Sequence, residues 1–181
     1  MQLELKDIKG GELEQEYSCS LAEFPDLMVI AEQGGPRFGE SLFFQLRFQR
    51  SGQFVEVDAS LEAVVELQCG RCLQDFKQPL AESFSLTFVP QPEDDESGED
   101  DVELETNELG LIPYRDDILK LQEPLQEQLL MAVPISPICK TSCRGLCPSC
   151  GVNLNIEKCD CVRKPFNSKF NILADIDFKK T

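Results

Sequence analysis

Nine cysteines are the residues whose type and spacing could do chemistry: Cys19, Cys69, Cys72, Cys139, Cys143, Cys147, Cys150, Cys159 and Cys161. The tail reads Cys139-x3-Cys143-x3-Cys147-Pro-Ser-Cys150-Gly151, then seven residues, then Cys159-Asp-Cys161. An odd cysteine count without a secretory signal argues for reduced thiols, and their close spacing argues for a metal rather than disulfides. Cys147-Pro-Ser-Cys150-Gly151 has the form of a zinc knuckle. Two thiolates leave one side of a tight turn, and the glycine can take the backbone conformation that aims amides at sulfur. Cys159 and Cys161 are two apart, so in an extended segment both side chains leave the same face. Four thiolates at about 2.3 Å satisfy the tetrahedral preference of zinc, and cysteine-only sites of this sort are closed and structural.

Eight of the cysteines allow two four-thiol sites, or one such site with spare thiols, so one to two zinc ions per chain are expected. The preferred grouping puts Cys147, Cys150, Cys159 and Cys161 on one ion, and Cys69, Cys72, Cys139 and Cys143 on a second that clamps the Cys69-x2-Cys72 segment to the start of the tail. The grouping that exchanges the halves is equally compatible with spacing alone. Two other chemistries use the same residues, a redox-active dithiol and an iron–sulfur cluster. Neither the strand–CxxC–helix setting of a thioredoxin nor a ferredoxin spacing is present, which favours structural Zn2+. Cys19 is isolated on an apolar-flanked segment and reads as a small core residue.

The rest of the composition excludes more than it offers. The chain of 181 residues has no His and no Trp, so serine–histidine, cysteine–histidine and histidine–metal chemistry are closed to it alone. The net charge is −16 and is divided unevenly. Residues 137–181 carry eight bases and four acids, leaving −20 on residues 1–136. A chain-wide basic surface for nucleic acid is therefore excluded. No run of about 18 apolar residues exists, and Met1 to Gly10 lack signal or transit character, so a soluble, cytoplasmic protein without membrane contact is expected.

The elements that must position the cysteines are mainly strands. Val55, Val57, Ala59, Leu61, Ala63, Val65 and Leu67 alternate with mostly polar residues, the pattern of a long strand with one buried face. Leu80, Phe84, Leu86 and Phe88 repeat the signal, which puts Cys69-Gly-Arg-Cys72 at the turn of an antiparallel hairpin. An earlier strand is predicted over 41–50, and a weaker one over Leu3, Leu5 and Ile8. A helix is predicted from Pro124 to about Val133, with Leu125, Leu129 and Ala132 on one face, stopped by Pro134 and Pro137. Residues 93–105 hold nine acids and no base, which predicts an exposed acidic loop over 90–106. The expected fold is α+β: a mainly antiparallel sheet with one or two short helices in an acidic β-rich domain, 1–136, followed by a cysteine-rich metal-binding tail, 137–181.

These residues resemble the YceD family of large ribosomal RNA subunit accumulation proteins. The likeness is carried by Leu67-Gln-Cys-Gly-Arg-Cys72-Leu73, by Glu127-Gln-Leu-Leu-Met-Ala-Val-Pro134, by Cys143-Arg-Gly-Leu-Cys-Pro-Ser-Cys-Gly-Val-Asn-Leu-Asn155, and by the closing Cys159-x-Cys161. It runs from about residue 40 to the C-terminus. It implies a bacterial or plastid-type, non-enzymatic ribosome-biogenesis factor needed for accumulation or maturation of large-subunit ribosomal RNA. The rival expectation is a thiol/disulfide redox protein using a CxxC pair. A body of −20 repels phosphate, so the expected partner is a large-subunit precursor, met through a basic ribosomal protein. RNA contact is expected only from Arg144, Arg163, Lys164 and Lys169 in the tail.

Overall fold

The computed structural model describes residues 1–91 and 110–161. In chain order the elements are β1 (Gln2–Glu4), β2 (Glu12–Ser20), α1 (Pro25–Glu32), β3 (Arg37–Phe38), β4 (Ser41–Ser51), β5 (Phe54–Gln68), β6 (Asp75–Pro90), β7 (Leu111–Tyr114), β8 (Ile118–Lys120) and α2 (Gln122–Met131). The main sheet runs β2-β4-β5-β6-β7, with β3 also paired to β5 where β4 has ended. Every pairing is antiparallel except β6 with β7, and β1 and β8 form a separate two-stranded ladder.

Period-two patterning builds this sheet. All seven apolar residues at the odd positions of β5 from Val55 to Leu67 are buried, and so are Leu42, Phe44, Leu46 and Phe48 of β4. Their neighbours in sequence face outward and are exposed or half-buried, so each strand turns one face to the core and one to solvent. The covering layer is α1, α2 and the small ladder. Leu27 comes from α1, Leu125 and Leu129 from α2, and Leu3 and Leu119 from the ladder, all in one apolar cluster. Phe24, just ahead of α1, meets Phe44 with ring centroids 6.1 Å apart, which pins the layer to the sheet.

The architecture is the expected mainly antiparallel one with two helices, and some boundaries move. The strand after the hairpin begins at Asp75, five residues before Leu80. The N-terminal strand is only three residues long, and Leu5 and Ile8 are buried beyond it, Leu5 in a 3-10 turn and Ile8 where two such turns meet. The last helix starts at Gln122 and ends at Met131, so Pro124 sits inside its first turn and Ala132 caps it. Neither β2 nor α1 is announced by the sequence pattern. The acidic run falls on residues outside those described. Among the described residues no helix is long and apolar enough to cross a membrane.

Candidate metal centres

The β5–β6 hairpin turns at Cys69-Gly-Arg-Cys72. The Cys69 amide donates to the Gln74 carbonyl at 2.9 Å, and the Leu73 amide donates to the Cys69 carbonyl at 2.9 Å. This leaves Leu73 at φ 58°, a left-handed conformation costly for a branched side chain and held here by the turn's own bonds. The chain beyond α2 then crosses the turn. The Gly70 amide donates to the Pro137 carbonyl at 2.9 Å, the Leu146 amide to the Arg71 carbonyl at 3.0 Å, and Arg71 Nη1 to the Cys143 carbonyl at 3.2 Å. Gly145 must be glycine at this crossing. It has φ 71°, and an added Cβ would lie 3.0 Å from the Arg71 carbonyl oxygen.

Those bonds bring Cys69, Cys72, Cys139 and Cys143 together, with their Sγ atoms all within 4.8 Å of one another. Cys69 and Cys143 are 3.9 Å apart, and Cys72 and Cys139 are 3.7 Å apart. Tetrahedral coordination with metal–sulfur bonds of about 2.3 Å requires sulfur–sulfur edges of about 3.8 Å. Those two edges match that value, so the donor set could hold one tetrahedral ion. Cys69, Cys72 and Cys143 are buried, and Cys139 is half-buried.

The second group is built locally. In Cys147-Pro-Ser-Cys150-Gly151 the Gly151 amide donates to the Cys147 carbonyl at 2.8 Å, and Gly151 takes φ 75°. The Cys147 amide then donates to the Val152 carbonyl at 2.8 Å, and Leu146 bridges Asn153. Cys159 and Cys161 return to this knuckle, so that Cys147, Cys150, Cys159 and Cys161 also lie within 4.8 Å of one another. Cys147 is buried, whereas Cys150 and Cys161 are exposed.

Electrostatics within each group is suited to a cation. The amide of Cys139, helped by those of Cys72 and Arg71, pulls the Cys69 thiol down to about 6. Amides of Cys150 and Ser149, together with the Cys159 thiol, pull Cys147 down to about 6. In each group a partner is pushed the other way. Burial and the thiols of Cys143, Cys69 and Cys72 raise Cys139 to about 12, and the Cys150 thiol, with burial, raises Cys161 to about 12. Four thiols this close cannot all ionise by themselves, and a bound dication removes the repulsion that stops them.

Asn155 connects the two groups, and sequence reasoning gave it no role. It lies in the loop between Cys150 and Cys159, yet its Nδ2 donates to Cys143 Sγ at 3.4 Å and its Oδ1 accepts from the Arg144 amide at 2.8 Å. A second asparagine, Asn153, holds its orientation by accepting from Nδ2 at 2.8 Å. The signal available was only the pair of asparagines in Gly-Val-Asn-Leu-Asn155, whose short amides favour turns. Arg144 is exposed beside this link. Arg163, Lys164 and Lys169 lie outside the described residues. Cys19 stands apart from both groups, buried in the sheet's core.

Residues 57–177 match the sequence model of the family described as "Large ribosomal RNA subunit accumulation protein YceD". A chloroplastic relative of Arabidopsis thaliana, named as a YCED homolog 1 of that description, is 25% identical over 146 residues, covering 70% of this chain and 46% of its own. Its namesake in Zea mays is 24% identical over 133 residues, covering 62% and 45%. An uncharacterized protein of Mycobacterium tuberculosis is 30% identical over 120 residues, covering 66% and 54%. The chain thus spans about half the length of the curated relatives it matches. No solved structure gives a significant match. The family match takes in most of β5, the hairpin turn and both cysteine groups, and the chain belongs to the YceD family.

Proposed function

We propose that this chain is a non-enzymatic ribosome-biogenesis factor, required for accumulation and maturation of large-subunit ribosomal RNA and acting on assembling large-subunit precursors. One observation carries the reading: two thirds of the chain, including both cysteine groups, match a family named for that accumulation. The chain has no histidine. A cavity of about 780 Å3 is an open trough on the outer face of the sheet, lined by residues such as Glu14, Arg47, Asp58, Ser60 and Ser85. Converging, desolvated polar groups are what a catalytic pocket needs, and an open trough cannot desolvate them. The redox alternative gains no support, since each CxxC pair is half of a four-thiol group.

Zn2+ is the metal we assign to both groups, because an all-thiolate tetrahedral donor set suits it. Bound there, it supplies a redox-silent cross-link. Cys69 and Cys72 hold the hairpin side of the first centre, Cys139 and Cys143 the tail side, and the knuckle with Cys159 and Cys161 closes the second. Contact with the precursor runs chiefly through a basic protein, given the −20 of residues 1–136, with any RNA contact confined to Arg144, Arg163, Lys164 and Lys169. Deleting the gene in its source cell tests the reading. Large-subunit ribosomal RNA should fall relative to small-subunit RNA, with the tagged chain sedimenting alongside large-subunit precursors. An unchanged ratio, with the chain absent from those fractions, would refute it.

A further inference from the structure

The main sheet ends on two edges of very different character. At one edge β7 is four residues long and contains Pro113, which removes a backbone donor. At the other, β2 is nine residues long without proline, and pairs with β4 in unbroken register from Glu12↔Gln49 to Ser20↔Ser41. Among the described residues nothing pairs with its far side. Alternate amides and carbonyls of β2 therefore point outward as a template for another strand.

The two faces of β2 state what that strand must look like. On the core side Leu13, Gln15 and Tyr17 are only half-buried, although their partners Phe48, Leu46 and Phe44 in β4 are fully buried. The core is incompletely covered along this edge, and apolar side chains from an added strand would complete it. On the solvent side stand Glu12, Glu14 and Glu16. Glu14 is paired with Arg47 at 2.7 Å and Glu16 accepts from Gln45 at 3.2 Å, while Glu12 and Glu16 have no cation beside them among the described residues. A second copy of β2, added antiparallel, would place glutamate against glutamate, and like charges directly opposed destabilise a ladder. RNA would bring phosphate to carboxylates.

We propose that the outer edge of β2 accepts, as an added strand, an extended protein segment in which basic and apolar residues alternate. Its lysines or arginines lie over Glu12, Glu14 and Glu16, and its apolar residues close over Leu13 and Tyr17. Backbone bonds supply affinity, and the alternation supplies selectivity. This surface deepens the protein-contact half of the function proposed above and rests on it.

The test uses the full metal-loaded chain and two synthetic nine-residue peptides of identical composition, one alternating Lys and Val, the other with its lysines in one block. The alternating peptide should bind about tenfold tighter, since only it can set several cross-strand charge pairs at once. Binding should slow amide exchange within residues 12–20. Glu12→Lys with Glu16→Lys should cost about tenfold or more, and Glu12→Gln with Glu16→Gln an intermediate loss, with circular dichroism unchanged in both. Equal binding of the two peptides, protection elsewhere than β2, or protection of β2 by an RNA oligonucleotide or by self-association would overturn the proposal. Sedimentation with large-subunit precursors separates it from the broader reading. Equal retention of wild type and the double lysine variant sinks the edge proposal alone, whereas failure to retain wild type sinks the broader reading whatever the peptides do.

Discussion

The sheet body and the cysteine tail are ordered by different physics. The body's apolar cluster joins residues from β1, β2, β4, β5 and β6 with both helices, so its stability is spread over many side chains. In the tail, buried apolar contact shrinks to a cluster of Cys69, Cys72 and Cys143, with Cys139, Leu146 and Phe76 against it. A segment that small cannot offset its own ordering entropy by burial. With Zn2+ assigned as proposed, the difference teaches that the tail would draw its order from metal-binding free energy, while the body draws its own from apolar burial.

Chelation is the harshest way to break the comparison. Structural zinc sites are worth on the order of 10 kcal/mol or more. Stripping the metal should abolish amide protection over 139–161 while β4 and β5 stay protected, as read by hydrogen exchange. Collapse of both regions in one step would show that the body depends on the metal too. The converse experiment is Phe48→Ala, at a side chain with no exposure, which should destabilise the body by about 3–5 kcal/mol. Elemental analysis of that variant should return the wild-type metal content.

Acid should separate the regions as well. In the metal-free chain Cys139 and Cys161 are pushed up to about 12, so both carry protons at neutral pH and must lose them to bind. Metal affinity therefore falls as pH falls, by about tenfold per pH unit for each proton released. Below about 6 the depressed thiols of Cys69 and Cys147 also take up protons, and the fall steepens. Competition with a chromophoric chelator across this range measures the slope. A pH-independent affinity would contradict thiolate ligation.

The smallest expected effect is at the link between the two centres. Asn155→Ala removes the donor to Cys143 Sγ and should weaken the first centre by about 10–100-fold, the usual cost of losing a ligand's hydrogen-bond partner. The second centre should change less, because Asn155 donates to none of its sulfurs. Equal weakening of both centres would show that the loop acts as a single unit.

Legibility from sequence followed the same division. β4 and β5 could be read because their buried rows are unbroken, Leu42 to Phe48 and Val55 to Leu67. β2 could not, because its inner row interposes Gln15 and ends on Cys19, which dilutes the period-two signal. α1 was hidden by its continuous apolar run Leu27-Met-Val-Ile30, of which only Leu27 is buried, so no helical stripe stands out. Spacing found all eight clustered cysteines and left two groupings open. The choice between them rests on Gly70 to Pro137 and Leu146 to Arg71, backbone bonds between segments far apart in sequence. Asn155 was invisible for the same reason, since its importance lies in reaching a sulfur twelve residues away.

Metal stoichiometry of the freshly purified chain tests the central claim most directly, compared between wild type and Cys72→Ser. Two four-thiol centres require two zinc ions per chain in the wild type and one in the variant, which keeps the Cys147, Cys150, Cys159 and Cys161 group intact. Iron in place of zinc, or eight freely titrating thiols with no metal bound, would contradict the account.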